Sequence, residues 1–325
     1  MTRDGPRQAD EDGTFRRQAS KFRNFIPSEQ FPAEGGHRYV LYINYGCPWA
    51  HRANIVRTLK GLDDVIRLVE VDDMDRSAGK GWFFSGQNGG PDRDPVTGCK
   101  YLRELYLRAD PQYEGRVTVP TLWDSHRNLV VNNESSEIIR ILYSAFDHLL
   151  PPDRREAAKG PAALLPDHLR PQIDAMNAWV YDTINNGVYK CGFATAQKAY
   201  DASIYPLFAS LDRIERHLAA NEERRLPGPY LFGEHITEAD IRLFPTVVRF
   251  DTAYHTLFKC NLKMIRHDYP RIDRWMRTLY WDETERTGGG AFKATTKVEK
   301  WKWGYSRVAG NGVVPAGPEP AILPL

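Results

Sequence analysis

Apolar residues run unbroken through Tyr39-Val-Leu-Tyr-Ile43, a β-branched and aromatic stretch that reads as a buried strand. Asn44-Tyr-Gly-Cys-Pro48 ends it, and a helical pattern follows from Trp49 to about Gly61. Pro48 suits the first turn of that helix, where an N–H is not needed, and Gly61 suits its end. A second strand is expected from Val65 to Val71, so strand, helix and strand make a βαβ unit. Residues 72 to 115 are rich in Gly, Pro and Asp and long for a plain connection, which points to a functional or lid-like insertion. Val119-Pro-Thr-Leu-Trp123 and Asn128-Leu-Val-Val131 then read as a hairpin, and Glu134 to Phe146 as a helix.

Beyond Phe146 the pattern changes. Residues 147 to 165 hold four prolines or glycines among charges and read as a linker. From Pro166 the spacing is helical over roughly 166–187, 197–221, 237–252 and 268–281. Thr237-x-x-Asp240 resembles a capping box, with Ile236 ahead of it as a hydrophobic staple. The first 36 residues are polar, with Phe15, Phe22, Phe25 and Phe31 spaced along them. They read either as an arm held through those rings or as a disordered tail. The expected organisation is an arm (1–36), an α/β domain (37–147), an all-helical α domain (165–300) and a tail (301–325). The βαβ-ββα order of the second of these is that of a thioredoxin-like domain.

Composition narrows the class without changing that order. A chain of 325 residues that is 42% hydrophobic can bury a sizeable core and is no disordered polymer. Lys and Arg total 44 against 42 Asp and Glu, and so small an excess argues against a nucleic-acid partner. No apolar run approaches the roughly 18 residues of a membrane span. The N-terminus carries both charges and lacks the apolar stretch of a signal peptide. Four irregularly spaced cysteines make no disulfide framework. The expectation is a soluble cytoplasmic protein.

Three places carry chemistry. Cys47 stands between a strand end and a helix start, in Gly46-Cys-Pro-Trp-Ala-His-Arg52, where first-turn N–H groups stabilise a thiolate. Ala50 sits where a C-x-x-C motif has its second cysteine, so the chemistry is monothiol. The alternatives are an inert buried cysteine or a metal ligand, and no second Cys or His lies at ligand spacing. Lowering a thiol pKa from about 8.5 to about 6 raises the thiolate fraction at pH 7 roughly 30-fold. Nucleophilicity falls roughly 13-fold over the same change, leaving a net gain of about twofold. The helix therefore helps Cys47 more as a leaving group than as an attacker. Val119-Pro120 is the second place, where a thioredoxin-like fold has a cis-proline that presents backbone groups to a bound thiol peptide. Asn132-Asn-Glu-Ser-Ser136 is the third. Helix-start N–H groups there suit a carboxylate and Glu134 an ammonium, as in an amino-acid zwitterion; plain capping by Ser135 or Ser136 reads the same.

In this order the three signals resemble the glutathione transferase superfamily, and most closely its glutathionyl-hydroquinone reductases (Xi-class, Omega-like transferases). The resemblance is carried by Asn44-Tyr-Gly-Cys-Pro-Trp-Ala-His-Arg52, Gly81-Trp82, Lys100-Tyr-Leu-Arg-Glu104, Gly115-Arg-Val-Thr-Val-Pro120 and Val131-Asn-Asn-Glu-Ser-Ser-Glu-Ile-Ile-Arg140. It continues in Tyr181-Asp-Thr-Ile-Asn-Asn-Gly-Val-Tyr-Lys190, Gly192-Phe-Ala194 and Thr237-Glu-Ala-Asp-Ile-Arg-Leu243. It implies Cys47 as catalytic cysteine and Trp82, Arg116, Val119, Pro120, Glu134 and Ser135 as the glutathione contacts. Tyr189 resembles a catalytic tyrosine of the hydroquinone pocket, against a core tyrosine as the alternative. The family's H-I-K-x-H-Y-Y-x-S-H tail is replaced by Val298 to Arg307, with none of its three histidines. Its pocket tyrosine falls at Trp303, or alternatively Tyr305 reaches the same space.

The implied activity is glutathione-dependent removal of glutathione from a glutathionylated aromatic, with glutathione as co-substrate and no tightly bound cofactor or metal. The implied assembly is a homodimer. Rival readings are a thiol transferase or dehydroascorbate-type reductase, and a non-catalytic binder of hydrophobic conjugates. Cys99, Cys191 and Cys260 read as structural, with Cys191 near enough to Tyr189 to border its pocket.

Overall fold

A computed structural model describes residues 9–75, 80–87 and 89–325. The start of the arm (1–8) and parts of the insertion (76–79 and 88) lie outside the described residues. Two compact units result: one runs over Gln18–Ala158, and the other takes residues 9–17 with Lys159–Leu325.

In the first unit the order is β1 (Tyr39–Ile43), α1 (Pro48–Leu59), β2 (Ile66–Glu70), β3 (Asp73–Asp75) and β4 (Gly81–Phe83), then α2 (Leu102–Ala109), β5 (Thr121–Asp124), β6 (Leu129–Asn132) and α3 (Ser135–Ser144). The main sheet is ordered β2-β1-β5-β6. β1 runs parallel to β2 and antiparallel to β5, which pairs antiparallel with β6. The parallel pair needs the α1 crossover, which is why strand, helix and strand are consecutive. All five residues of β1 are buried, as an interior strand with both faces covered requires. α1 and α3 pack against each other. Gly61 ends α1 in the left-handed region, at φ 66°.

The insertion holds more structure than its composition suggests, with the two-stranded β3–β4 sheet and α2. Side-chain hydrogen bonds hold it. The Asp94 carboxylate accepts from the Tyr42 hydroxyl at 2.6 Å and from the Val96 N–H at 3.0 Å. Asp72 accepts from the Ser85 N–H at 2.8 Å. Residues 18–36 lie along this unit. The Asn24 N–H donates to the Val131 carbonyl at 3.0 Å, and Phe22 packs on Tyr106 and Tyr113, each at 5.5 Å. Phe31 is buried, whereas Phe25 stays 47% exposed.

The second unit is helical: α4 (Arg170–Val180), α5 (Gly187–Phe193), α6 (Gln197–Glu223), α7 (Glu238–Val247), α8 (His255–Leu257), α9 (Ile265–Asp268), α10 (Pro270–Trp281), α11 (Ala291–Ala294) and α12 (Val298–Val308). Two π-helical turns, Tyr181–Asn185 and Phe250–Tyr254, interrupt what the spacing predicts as continuous helices. Thr237 opens α7 with a reciprocal capping box, its N–H donating to Asp240 at 2.8 Å. Asp240 also accepts from the indole of Trp275 at 2.9 Å and so ties α7 to α10. The expected tail begins as helix α12. No described helix is long and apolar enough to cross a membrane.

Candidate active site

Cys47 is the N-cap of α1, in extended backbone, with Pro48 at the first helical position. The turn before it is shaped by Asn44. Its side-chain carbonyl accepts from the Gly46 N–H at 2.9 Å, and its amide donates to the Val71 and Asp72 carbonyls at 2.8 and 3.3 Å. The Cys47 N–H returns to the Asn44 carbonyl at 2.9 Å. One side chain therefore ties the cysteine loop to the end of β2. Cys47 is half-buried, while Cys99, Cys191 and Cys260 are buried. Its Sγ lies 3.4 Å from the Val119 carbonyl, to which the thiol donates.

Val119–Pro120 is a cis peptide bond. A buried polar network braces the segment before it. The Tyr106 hydroxyl donates to the Thr118 carbonyl at 3.0 Å and accepts from the Asn133 amide at 3.3 Å. The same amide reaches the Thr118 hydroxyl at 3.3 Å. Burial pushes the Tyr106 phenol up, so it serves as a neutral donor. Val119 and Pro120 are themselves buried, which leaves backbone as what this segment can offer a ligand.

At the start of α3 the cap is Glu134 rather than either serine. One carboxylate oxygen accepts from the Ser136 N–H at 3.1 Å and hydroxyl at 2.9 Å, and the other from the Ser20 hydroxyl at 3.2 Å. Ser135 is the first helical residue and is buried. Trp82 sits half-buried on β4 opposite Met74, and Arg116 is exposed, its carbonyl accepting from the Tyr113 hydroxyl at 2.7 Å. All of these residues belong to the first unit.

The second unit, by itself, holds a cluster of phenols. Tyr189 on α5 and Tyr254 at the end of the second π-helical turn both meet the hydroxyl of Tyr305 on α12, at 2.8 and 3.0 Å. Phe258 packs on all three rings, with centroids 4.9–5.6 Å away. Burial, with Tyr189 and Tyr254 alongside, pushes the Tyr305 phenol well above its ordinary value. One hydroxyl has one proton, so Tyr305 donates to one neighbour and accepts from the other.

Trp303, expected at this pocket, does not join it. It lies two positions from both Trp301 and Tyr305 on a helix, which turns it to the opposite face, 40% exposed with Arg307 4.3 Å over its ring. Trp301 and Tyr305, four apart, both point inward. Tyr254 was not singled out by sequence reasoning, and its one signal is an aromatic just beyond a strongly periodic helix.

Two family models match this chain: one for the glutathione S-transferase N-terminal domain over residues 46–145, one for its C-terminal domain over residues 197–278. The glutathionyl-hydroquinone reductase PcpF of Sphingobium chlorophenolicum is 44% identical over 307 residues, 94% of this chain and 90% of that protein. The crystal structure of the glutathione-S-transferase Xi from Phanerochaete chrysosporium matches with a TM-score of 0.85 at 48% identity, covering 98% of this chain and 96% of its own. The Xi glutathione transferase ECM4 of Saccharomyces cerevisiae, solved in complex with glutathione, matches with a TM-score of 0.84 at 38% identity, over 95% and all (100%) of the two chains.

Proposed function

The chain belongs to the glutathione S-transferase family, among the Xi-class glutathionyl-hydroquinone reductases, and from that premise we propose that it removes glutathione from glutathionyl-hydroquinones through a mixed disulfide on Cys47. The observation that carries this reading is the Cys47 thiol at the N-cap of α1, 3.4 Å from the carbonyl that precedes cis-Pro120. A thiolate formed there has a helix N-terminus to stabilise it and backbone beside it to orient a second sulfur compound.

Glutathione binds to the first unit. Backbone groups of Val119 take its cysteinyl part, the α3 N-terminus at Ser135 takes its γ-glutamyl carboxylate, and Glu134 takes the ammonium. Trp82 and Arg116 contact the remainder, Arg116 by its charge. The phenols of the second unit receive the hydroquinone. With hydrogen bonds running from Tyr254 through Tyr305 to Tyr189, Tyr189 accepts from Tyr305 and gives up no proton to it.

In the first step the Cys47 thiolate attacks the glutathione sulfur of the thioether. An S–S bond forms, the aryl C–S bond breaks, and its electron pair goes to the aromatic carbon, which takes a proton with Tyr189 assisting. A second glutathione then attacks the disulfide as thiolate, releasing oxidised glutathione and the Cys47 thiolate. One glutathionyl-hydroquinone and one glutathione give one hydroquinone and one glutathione disulfide. The electrons balance with no other reductant.

Glutathionyl-menadiol mixed with free glutathione tests the reading, with release of the parent hydroquinone followed for the wild type and Cys47→Ala. Release is expected to need both Cys47 and glutathione. A Cys47→Ala protein with full activity would sink the mechanism. A wild type that reduces mixed disulfides but leaves the conjugate intact would replace it with a thiol transferase.

A further inference from the structure

Residues 9–17 belong to the second unit, and their placement bears on the phenol cluster. Phe15 is buried, with its ring stacked on Tyr189 at 6.0 Å and tilted against Phe193 at 5.5 Å. Just before it, the Gly13 carbonyl accepts from the Thr195 N–H at 3.2 Å. Gly13 has φ 78°, and a Cβ there would stand 2.7 Å from that of Ala196, so only glycine lets the arm lie this close.

Two arginines follow, in different settings. Arg16 points to solvent and pairs with Asp10 and Asp12 of its own loop. Arg17 is exposed as well but reaches back to α5 and the turn before it: its Nε donates to the side-chain oxygen of Asn186 at 2.7 Å, and its guanidinium carbon lies 5.0 Å from the Tyr189 ring centroid and 5.4 Å from that of Phe15. The amide it meets is neutral, so that bond orients the guanidinium without itself cancelling the charge. Lys190, next to Tyr189 in sequence, is directed at Asp182, 2.7 Å away. On the other side Tyr189 meets Tyr305, itself bonded to Tyr254, so phenols face it there.

We infer that Arg17 is a positioning residue for Tyr189, held over its ring by Asn186 to fix the ring and strengthen its hydroxyl as a proton donor. A cation on a ring face attracts the ring's electron density, and more so once a bound ligand excludes water. Density drawn toward the face leaves the hydroxyl more acidic and favours the phenolate that remains after proton donation. The inference rests on the proposed reading of Tyr189 as the residue that serves the hydroquinone. Within the Asn185-Asn186-Gly187 run, Asn186 then serves to aim Arg17.

The test compares Arg17→Met, Arg17→Lys, Asn186→Ala, Tyr189→Phe and the double variant Arg17→Met/Tyr189→Phe. Arg17→Met should lower kcat on glutathionyl-menadiol about two- to fivefold with a smaller change in KM, and Arg17→Lys should restore most of it. Asn186→Ala should fall between wild type and Arg17→Met. The double variant should be no worse than Tyr189→Phe alone, because Arg17 acts through that hydroxyl. Reduction of a small mixed disulfide, which needs no phenol, should stay within about twofold of wild type in Arg17→Met. Losses that multiply in the double variant, or disulfide reduction that falls in parallel, would show a tether for the arm and overturn the inference.

One readout is independent of turnover. In protein labelled with carbon-13 at tyrosine Cζ, with the Tyr189 signal identified by its loss in Tyr189→Phe, the alkaline titration midpoint of Tyr189 should rise in Arg17→Met. An unchanged midpoint overturns the inference even if the wild type proves inactive on the conjugate, an outcome that would count separately against the proposed function.

Discussion

Gly192, on α5 three residues past Tyr189, allows a prediction that starts from a distance. A Cβ built at this position would stand 2.4 Å from two ring carbons of Phe258 and 2.9 Å from a third. Carbon atoms sit at about 3.5–4.0 Å in ordinary contact, so Gly192→Ala must push the Phe258 ring back by roughly 1 Å. The ring has nowhere easy to go, since it is fully buried and packed on Tyr189, Phe193, Tyr254 and Tyr305. Overpacking of this kind costs about 1–3 kcal/mol. At about 2–4 °C per kcal/mol for a unit of this size, thermal unfolding should drop by about 2–12 °C. The displaced ring also carries the phenols with it. A misplacement near 1 Å can cost up to about 100-fold in rate, so turnover of the glutathionyl-hydroquinone should fall at least about tenfold. Reduction of a small mixed disulfide, which uses Cys47 in the other unit, should change little. Circular dichroism melts and the two assays run side by side check this. A Gly192→Ala protein with wild-type melting and full conjugate turnover would refute both the packing argument and the link between Phe258 and the reaction.

Asn44→Asp is isosteric, yet it should be more damaging than Asn44→Ala, because it sets a carboxylate against the Val71 and Asp72 carbonyls where an amide now donates. Urea unfolding and the alkylation rate of Cys47 should both rank wild type, Ala, then Asp, and a reversed order would refute the role given to that amide. Burial pushes the Asp147 carboxyl up, but the N–H groups of Glu156 and Ala157 and the Lys60 ammonium 3.1 Å away outweigh it and hold the group below its ordinary 3.8. A depressed carboxyl contributes stability above its unfolded pKa that is lost as pH falls through its folded value. The deficit of Asp147→Asn in urea unfolding should therefore be full at pH 7 and shrink below about pH 4, and a deficit that persists unchanged at pH 3 would refute the assignment.

Much of the chemistry in the first unit is legible because it is local. Five consecutive apolar residues mark β1, Pro48 marks the helix start, and the thiol stands at the junction between them. Val119–Pro120 is legible for the same reason, as a dipeptide at a strand entrance. The misses in this unit come from side-chain hydrogen bonds, which leave no period. β3 and β4 are three residues each, and polar groups such as Asp72 and Asp94 hold the insertion around them. Glu134 caps α3, although the residue types expected at a cap made Ser135 or Ser136 the natural reading.

The phenol cluster is a different problem, because residues 15, 17, 189, 254 and 305 meet only after the helices have packed. A 3.6-residue period runs on through 237–252 and cannot show that the chain widens at Phe250–Tyr254, where Tyr254 meets Tyr305. The choice between Trp303 and Tyr305 needed a single further fact, that Val298–Val308 is a helix. Once it is, Trp301 and Tyr305 share a face and Trp303 must leave it. A tryptophan stands where the resemblance placed a pocket tyrosine. The helix brings a phenol from two residues further on to the hydroxyl of Tyr189.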